Sequence, residues 1–126
     1  MRVERYDPQR HYVDFTAWYA PRLDAPVGPE FLPKVGFVAP GIAMGFLYQT
    51  DSAVCHIEGL VANPKVSGAE RTAALDAVVL AIIEEARKLG FKTLHGQTEL
   101  AVIVERAKKL GFLHDPTPQH SVVFVL

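Results

Sequence analysis

The sequence predicts an α+β domain in α/β/α layers: a mixed, mostly antiparallel twisted sheet with helices on both faces. Three observations carry this reading. Through residues 35–62, short apolar runs alternate with turn signals, as in an antiparallel meander. From residue 68 onward the apolar period changes from two to 3.6, the period of an amphipathic helix. Between two such helical stretches lies a short strand-like segment, 91–97, so a β-α-β crossover, expected to be right-handed, joins the meander's sheet.

The bulk properties bound the rest. The chain has 126 residues, of which 49% are hydrophobic and 21% charged, which excludes a disordered or fibrous chain and fits a single domain over 1–126. A chain of this length buries roughly two-thirds of its unfolded surface without staples. Lys+Arg 13 against Asp+Glu 14 leaves no cationic excess for phosphates, so neither nucleic acid nor an anionic membrane is an expected partner. The single cysteine, Cys55, rules out an internal disulfide and any CxxC motif, which fits a reducing, cytoplasmic compartment. The first residues lack the apolar run of a signal peptide, and no stretch reaches the roughly 18 apolar residues of a membrane span.

The expected order of elements is β-α-β-β-β-α-β-α-β-β. Val3 centres a short strand over 2–6, and Asp7-Pro8 starts a helix, with Asp as N-cap and Pro at the first helical position. Val13, Phe15, Trp18 and Tyr19 give that helix an aromatic face, and Pro21 ends it. Residues 21–33 form a proline-rich loop. Three strands follow, over 35–39, 42–50 and 53–62, divided by Pro40-Gly41 and Asp51-Ser52 and closed by Asn63-Pro64. Leu75, Val78, Val79, Ile82, Ala86 and Leu89 recur at helical spacing, which predicts one helix over 68–89. Ser67 and Glu70 open it as a capping box, and Lys88-Leu89-Gly90-Phe91 closes it. The same four residue types recur at 109–112 and close a second helix striped by Leu100, Ile103, Val104, Ala107 and Leu110. Residues 112–114 and 121–126 supply the last two strands.

The run Ile57-Glu58-Gly59-Leu60-Val61-Ala62-Asn63-Pro64, followed by Lys65-Val66-Ser67-Gly68-Ala69-Glu70-Arg71-Thr72, is a strand feeding directly into a capped helix. It resembles the acyl-CoA-binding core of the GNAT N-acetyltransferase superfamily, as does the order of elements over nearly the whole chain. The resemblance implies that backbone at Leu60, Val61 and Ala62 holds the pantetheine arm of acetyl-CoA. It implies that the turn of Ser67, Gly68, Ala69, Glu70, Arg71 and Thr72 holds the pyrophosphate on helix-terminal amides, and that Glu58 is the general base for a small-molecule or protein amine. Ser67, Glu70 and Thr72 stand where the family usually has Arg or Gln, Gly, and Gly or Ala. Ala107 stands where the family frequently has the tyrosine that protonates the CoA thiolate.

The residues also carry plainer readings. Ser67 and Glu70 are explained by helix capping alone. Glu58 can be a solvent-facing strand residue. His56 shares its strand face and forms a polar pair rather than a metal site, and no metal is expected. Cys55 points to the opposite face as a small core residue. Tyr6, Tyr12, Trp18, Tyr19, Phe31 and Phe37 are mainly core, with an acceptor pocket as the alternative. Two functions from different classes follow: an acetyl-CoA-dependent N-acetyltransferase acting by direct transfer in a ternary complex, or a catalytically inactive GNAT-like fold used as a binding or assembly module. The apolar run 121–126 makes a homodimer or larger assembly expected over a monomer.

Overall fold

The computed structural model describes residues 1–19, 28–98 and 100–126. Its elements are β1 (Glu4–Arg5), α1 (Pro8–Tyr19), a 3-10 turn (Pro29–Phe31), β2 (Gly36–Ala39), β3 (Ala43–Gln49), β4 (Val54–Ala62), α2 (Gly68–Lys88), β5 (Thr93–His95) and α3 (Ala101–Lys109). The strands form one sheet in the order β1-β2-β3-β4-β5. Pairing is antiparallel through β4 and parallel between β4 and β5, as a strand-helix-strand crossover requires.

Helices cover both faces, each over its own apolar layer. On one side, Ala74, Val78, Val79, Ile82 and Ala86 of α2 pack on Ala39, Ala43, Leu47, Cys55 and Ile57. On the other, Phe15 and Trp18 of α1 join Tyr6, Val38, Met44, Phe46 and Val61. Phe46 is the hub of this second layer, with Tyr6 edge-on at 4.7 Å and Phe15 edge-on at 5.8 Å between ring centroids. Cys55 is fully buried, as its strand parity predicts.

The helix termini follow the sequence signals closely. Asp7 Oδ1 accepts the Gln9 amide at 3.0 Å, an N-cap ahead of Pro8. Ser67 Oγ accepts the Glu70 amide at 3.3 Å and donates to the Glu70 carboxylate at 3.3 Å. Both Lys-Leu-Gly-Phe runs close their helices in the same way. The Phe91 amide reaches Ala86 O at 3.1 Å and the Gly90 amide reaches Arg87 O at 3.1 Å, while Phe112 reaches Ala107 O and Gly111 reaches Lys108 O, both at 3.0 Å. Gly90 and Gly111 take φ of 88° and 100°, the left-handed region that this closure needs.

Four expectations are corrected. The predicted strand over 91–97 contracts to Thr93–His95, because its ladder with β4 spans only three rungs. The two last strands do not form: residues 112–126 carry no regular secondary structure, and Val122, Val123, Phe124, Val125 and Leu126 are all exposed. A strand exists through its partner, and an apolar run cannot by itself supply one. Val13 is exposed, and His11 takes the inner position of α1 beside Phe15 and Trp18. On α3, Leu100 is exposed and the rest of the stripe only half-buried, because the helix sits at the rim of the sheet. It is held to α2 by Arg106, whose Nη2 donates to Asp76 Oδ1 at 3.0 Å and Thr72 O at 3.2 Å. Of the predicted loop 21–33, residues 21–27 lie outside the described residues, as does the helix stop at Pro21.

Candidate active-site cleft

The rungs between β4 and β5 are Val54↔Thr93, Cys55↔Leu94 and His56↔His95. Beyond that last rung β4 continues for six residues to Ala62, paired with β3. The two strands therefore part, and a cleft opens between them, bordered by 57–62 of β4, by 96–98 and by α2 and α3. Its α2 wall begins at Leu75, and residues 112–122 border it as well.

The wall formed by β4 is reshaped by a bulge. Met44 pairs with Val61 and Phe46 with Glu58, so two steps on β3 face three on β4. Gly59 accommodates the extra residue with φ of 68°. A Cβ there would stand 2.8 Å from Phe46 Cδ2, so both backbone and space require glycine. The extra residue also resets the alternation of faces. Ile57 lies on the α2 side and Glu58 on the α1 side; after the bulge Leu60 and Ala62 return to the α2 side and Val61 to the α1 side. Simple alternation would have sent Leu60 to the face of Glu58.

Glu58 is exposed and lines the cleft. Its charge is felt by Tyr48 of β3. Burial pushes the Tyr48 phenol above its ordinary value, and the Glu58 carboxylate adds to that shift. Tyr48 donates to Phe31 O at 3.1 Å, which ties the 3-10 turn to this face of the sheet. Across the strands, Tyr48 is opposite His56, and His56 is opposite His95. The two imidazole centroids are 5.7 Å apart. Sequence reading paired His56 with Glu58 but missed Tyr48 and His95, whose places follow from cross-strand register. Cys55 lies on the other face, its thiol pushed up by burial and directed to Thr93 O at 3.4 Å, so it is no nucleophile. Among the described residues no group of three or more His, Cys, Asp or Glu side chains is placed to hold a metal ion.

At the α2 turn the predicted phosphate residues are consecutive, and the side chains of Ser67, Glu70 and Arg71 are engaged within the protein. Glu70 is committed to the cap with Ser67. Arg71 folds back, its Nη1 donating to Pro64 O at 3.3 Å and to Val66 O, so its guanidinium braces the loop that delivers β4 into α2. Gly68 and Ala69 occupy the first turn, where helix amides have no intrahelical acceptor. Asn63 completes the loop: its Oδ1 accepts the Lys65 amide at 3.0 Å, and its Nδ2 donates to Gly41 O at 3.1 Å. Thr72 O is taken by Arg106. No helix among the described residues is long and apolar enough to cross a membrane.

No protein-family model matches the chain, and no curated protein matches it. Solved structures do. The chain is similar to an Agrobacterium tumefaciens str. C58 protein assigned as an acetyltransferase, at 15% identity and TM-score 0.73 over 98% of this chain and 100% of that one. It is similar to a Mycobacterium tuberculosis protein solved in complex with CoA, at 16% identity and TM-score 0.65 over 96% and 77% of the two chains. It is also similar to glucosamine-6-phosphate N-acetyltransferase from Arabidopsis thaliana, at 13% identity and TM-score 0.66 over 98% of each. Similarity over nearly the whole chain at these TM-scores shows that the chain has the fold of the GNAT superfamily of N-acetyltransferases.

Proposed function

We propose that the protein transfers an acetyl group from acetyl-CoA to a primary amine by direct attack in a ternary complex. One observation carries the reading: β4 parts from β5 at His56↔His95 and runs on, bulged, into the start of α2. Such a cleft offers strand backbone along one wall, and the chain leaves that strand for the helix-terminal amides that start α2. The first suits an amide-bearing arm, and the second suits a diphosphate. From Ala62 back to Ile57 is five strand steps, about 17 Å, a span in keeping with an extended pantetheine arm. The fold neighbour solved with CoA supports the same ligand class.

In this reading Leu60, Val61 and Ala62 hold the arm, and residues 67–72 receive the diphosphate, chiefly through the first-turn backbone at Gly68 and Ala69. Glu58 stands beside the arm's reacting end. Its carboxylate accepts a proton from the acceptor ammonium and so releases the lone pair that attacks the thioester carbonyl. Exposure leaves Glu58 open to an incoming amine. A second reading, a GNAT-like module without catalysis, is favoured by one feature: Glu70 and Arg71 serve the cap and the loop instead of a ligand.

Melting curves with and without acetyl-CoA separate the two. A ligand that prefers the native state at a hundredfold excess over Kd stabilises it by ~2.7 kcal/mol. Under the transferase reading acetyl-CoA raises the Tm, and Glu70→Gly binds more tightly because a like charge leaves the phosphate turn, despite a cap loss of ~1 kcal/mol. Arg71→Ala binds more weakly, through loss of both its charge and its brace on Pro64 and Val66. If millimolar acetyl-CoA shifts none of the three, the transferase reading is wrong and the module reading stands.

A further inference from the structure

The closed end of the cleft is marked by imidazoles. His56 and His95 form the last rung before the strands part, with ring centroids 5.7 Å apart and planes tilted by 55°. Both line the cleft, and Glu58 stands one same-face step further along β4. An arm anchored at the α2 turn and laid back along 57–62 brings its reacting end to this rung. On the same cleft α3 presents Ile103, Val104 and Ala107 together with Arg106 and Lys108, and His114, Asp115 and His120 line it beyond α3. Of the cleft's histidines outside β4, only His95 is paired with β4 at the closed end. Thr93 Oγ1, 3.1 Å from His95 Nε2, steadies one edge of the His95 ring, while the residue as a whole is exposed. Imidazole is the side chain best suited to exchanging a proton near neutral pH.

Resting on the acetyl-transfer reading, we propose that His95, resupplied through His56, is the general acid that protonates the departing CoA thiolate. The step balances. Glu58 takes one proton from the acceptor ammonium, and the nitrogen lone pair forms the C–N bond while the carbonyl π pair moves to oxygen. As the carbonyl re-forms, the C–S bond breaks, its electron pair stays on sulfur, and the sulfur takes the proton held by His95. The nitrogen sheds its second proton, which reaches His95 by way of His56 and restores the imidazolium. The products are an amide, a thiol and the one proton that Glu58 passes to water.

The test uses the full chain, acetyl-CoA and a panel of primary amines, with acetyl-CoA affinity and turnover measured separately. His95→Ala is expected to bind acetyl-CoA within about twofold of wild type and to turn over about 100-fold more slowly. Added imidazole is expected to restore much of that turnover in His95→Ala and none in Glu58→Gln. His56→Ala is expected to show a smaller loss of turnover with unchanged affinity. Three results overturn the proposal alone: His95→Ala turning over at the wild-type rate, a loss matched by equal loss of acetyl-CoA affinity, or no response to imidazole. Failure of the wild-type chain to acetylate any amine overturns it together with the reading on which it rests.

Discussion

Replacing Gly59 by Ala perturbs the cleft wall with a single methyl group. Gly59 holds φ of 68°, where an L-residue costs about 1–2 kcal/mol. The new Cβ would lie 2.8 Å from Phe46 Cδ2, and Phe46 cannot retreat: it is fully buried, with Tyr6 and Phe15 against its ring. Overpacking of that kind adds about 1–3 kcal/mol. Together Gly59→Ala should lose about 2–5 kcal/mol, a large part of the stability of a small domain. Urea denaturation followed by tryptophan fluorescence measures it, since Trp18 belongs to the same apolar layer. A loss under about 0.5 kcal/mol, the scale of an ordinary surface substitution, would mean that β4 does not bulge at Gly59 and that the assignment of Leu60 and Val61 to opposite faces is wrong.

Three further outcomes are expected. Val79→Asp should unfold the domain or lower its Tm steeply, since it puts a carboxylate among the residues that α2 packs on the sheet, whereas Leu80→Asp on the exposed face should melt near wild type; equal melting of the two would refute the packing face of α2. Glu4 is held below its ordinary value of 4.5, first by the hydrogen bond from His11 and then by Arg10 and Arg2. A lowered folded value means the stability it contributes is present above the unfolded value and is lost as pH falls through the folded one, so Glu4→Gln should flatten the acid limb of the stability profile below about pH 4.5, and an unchanged limb would contradict this. Sedimentation at high concentration should show species larger than the monomer, because Val122–Leu126 present an apolar run that strand pairing between copies would cover; a single monomeric species would remove that argument.

The sequence was most legible where its signals were local. Ser67 and Glu70 announced the start of α2, and the two Lys-Leu-Gly-Phe runs announced two left-handed closures whose backbone bonds match bond for bond. The strands 36–62 were readable from turn chemistry at Pro40-Gly41 and Asp51-Ser52; Thr50 Oγ1 organises the second turn by accepting the Ser52 amide at 3.1 Å. What failed was non-local. The bulge at Gly59 exists only as a mismatch with β3, and period-two alternation alone would set Leu60 on the wrong face. His56 and His95 meet because a 21-residue helix returns β5 alongside β4 in one register, and no local pattern encodes that register. The C-terminal run reads as a strand by its apolar, β-branched composition yet lacks a paired neighbour among the described residues.

Whether the opening between β4 and β5 binds acetyl-CoA is read most directly from amide chemical shifts of the isotope-labelled protein, followed as acetyl-CoA is added. The largest shifts are expected on 59–62 of β4 and on Gly68 and Ala69 at the start of α2, with α1 and the β1-β2 edge little changed. Shifts confined to other surfaces, or no saturable shift at millimolar acetyl-CoA, would contradict binding in that opening.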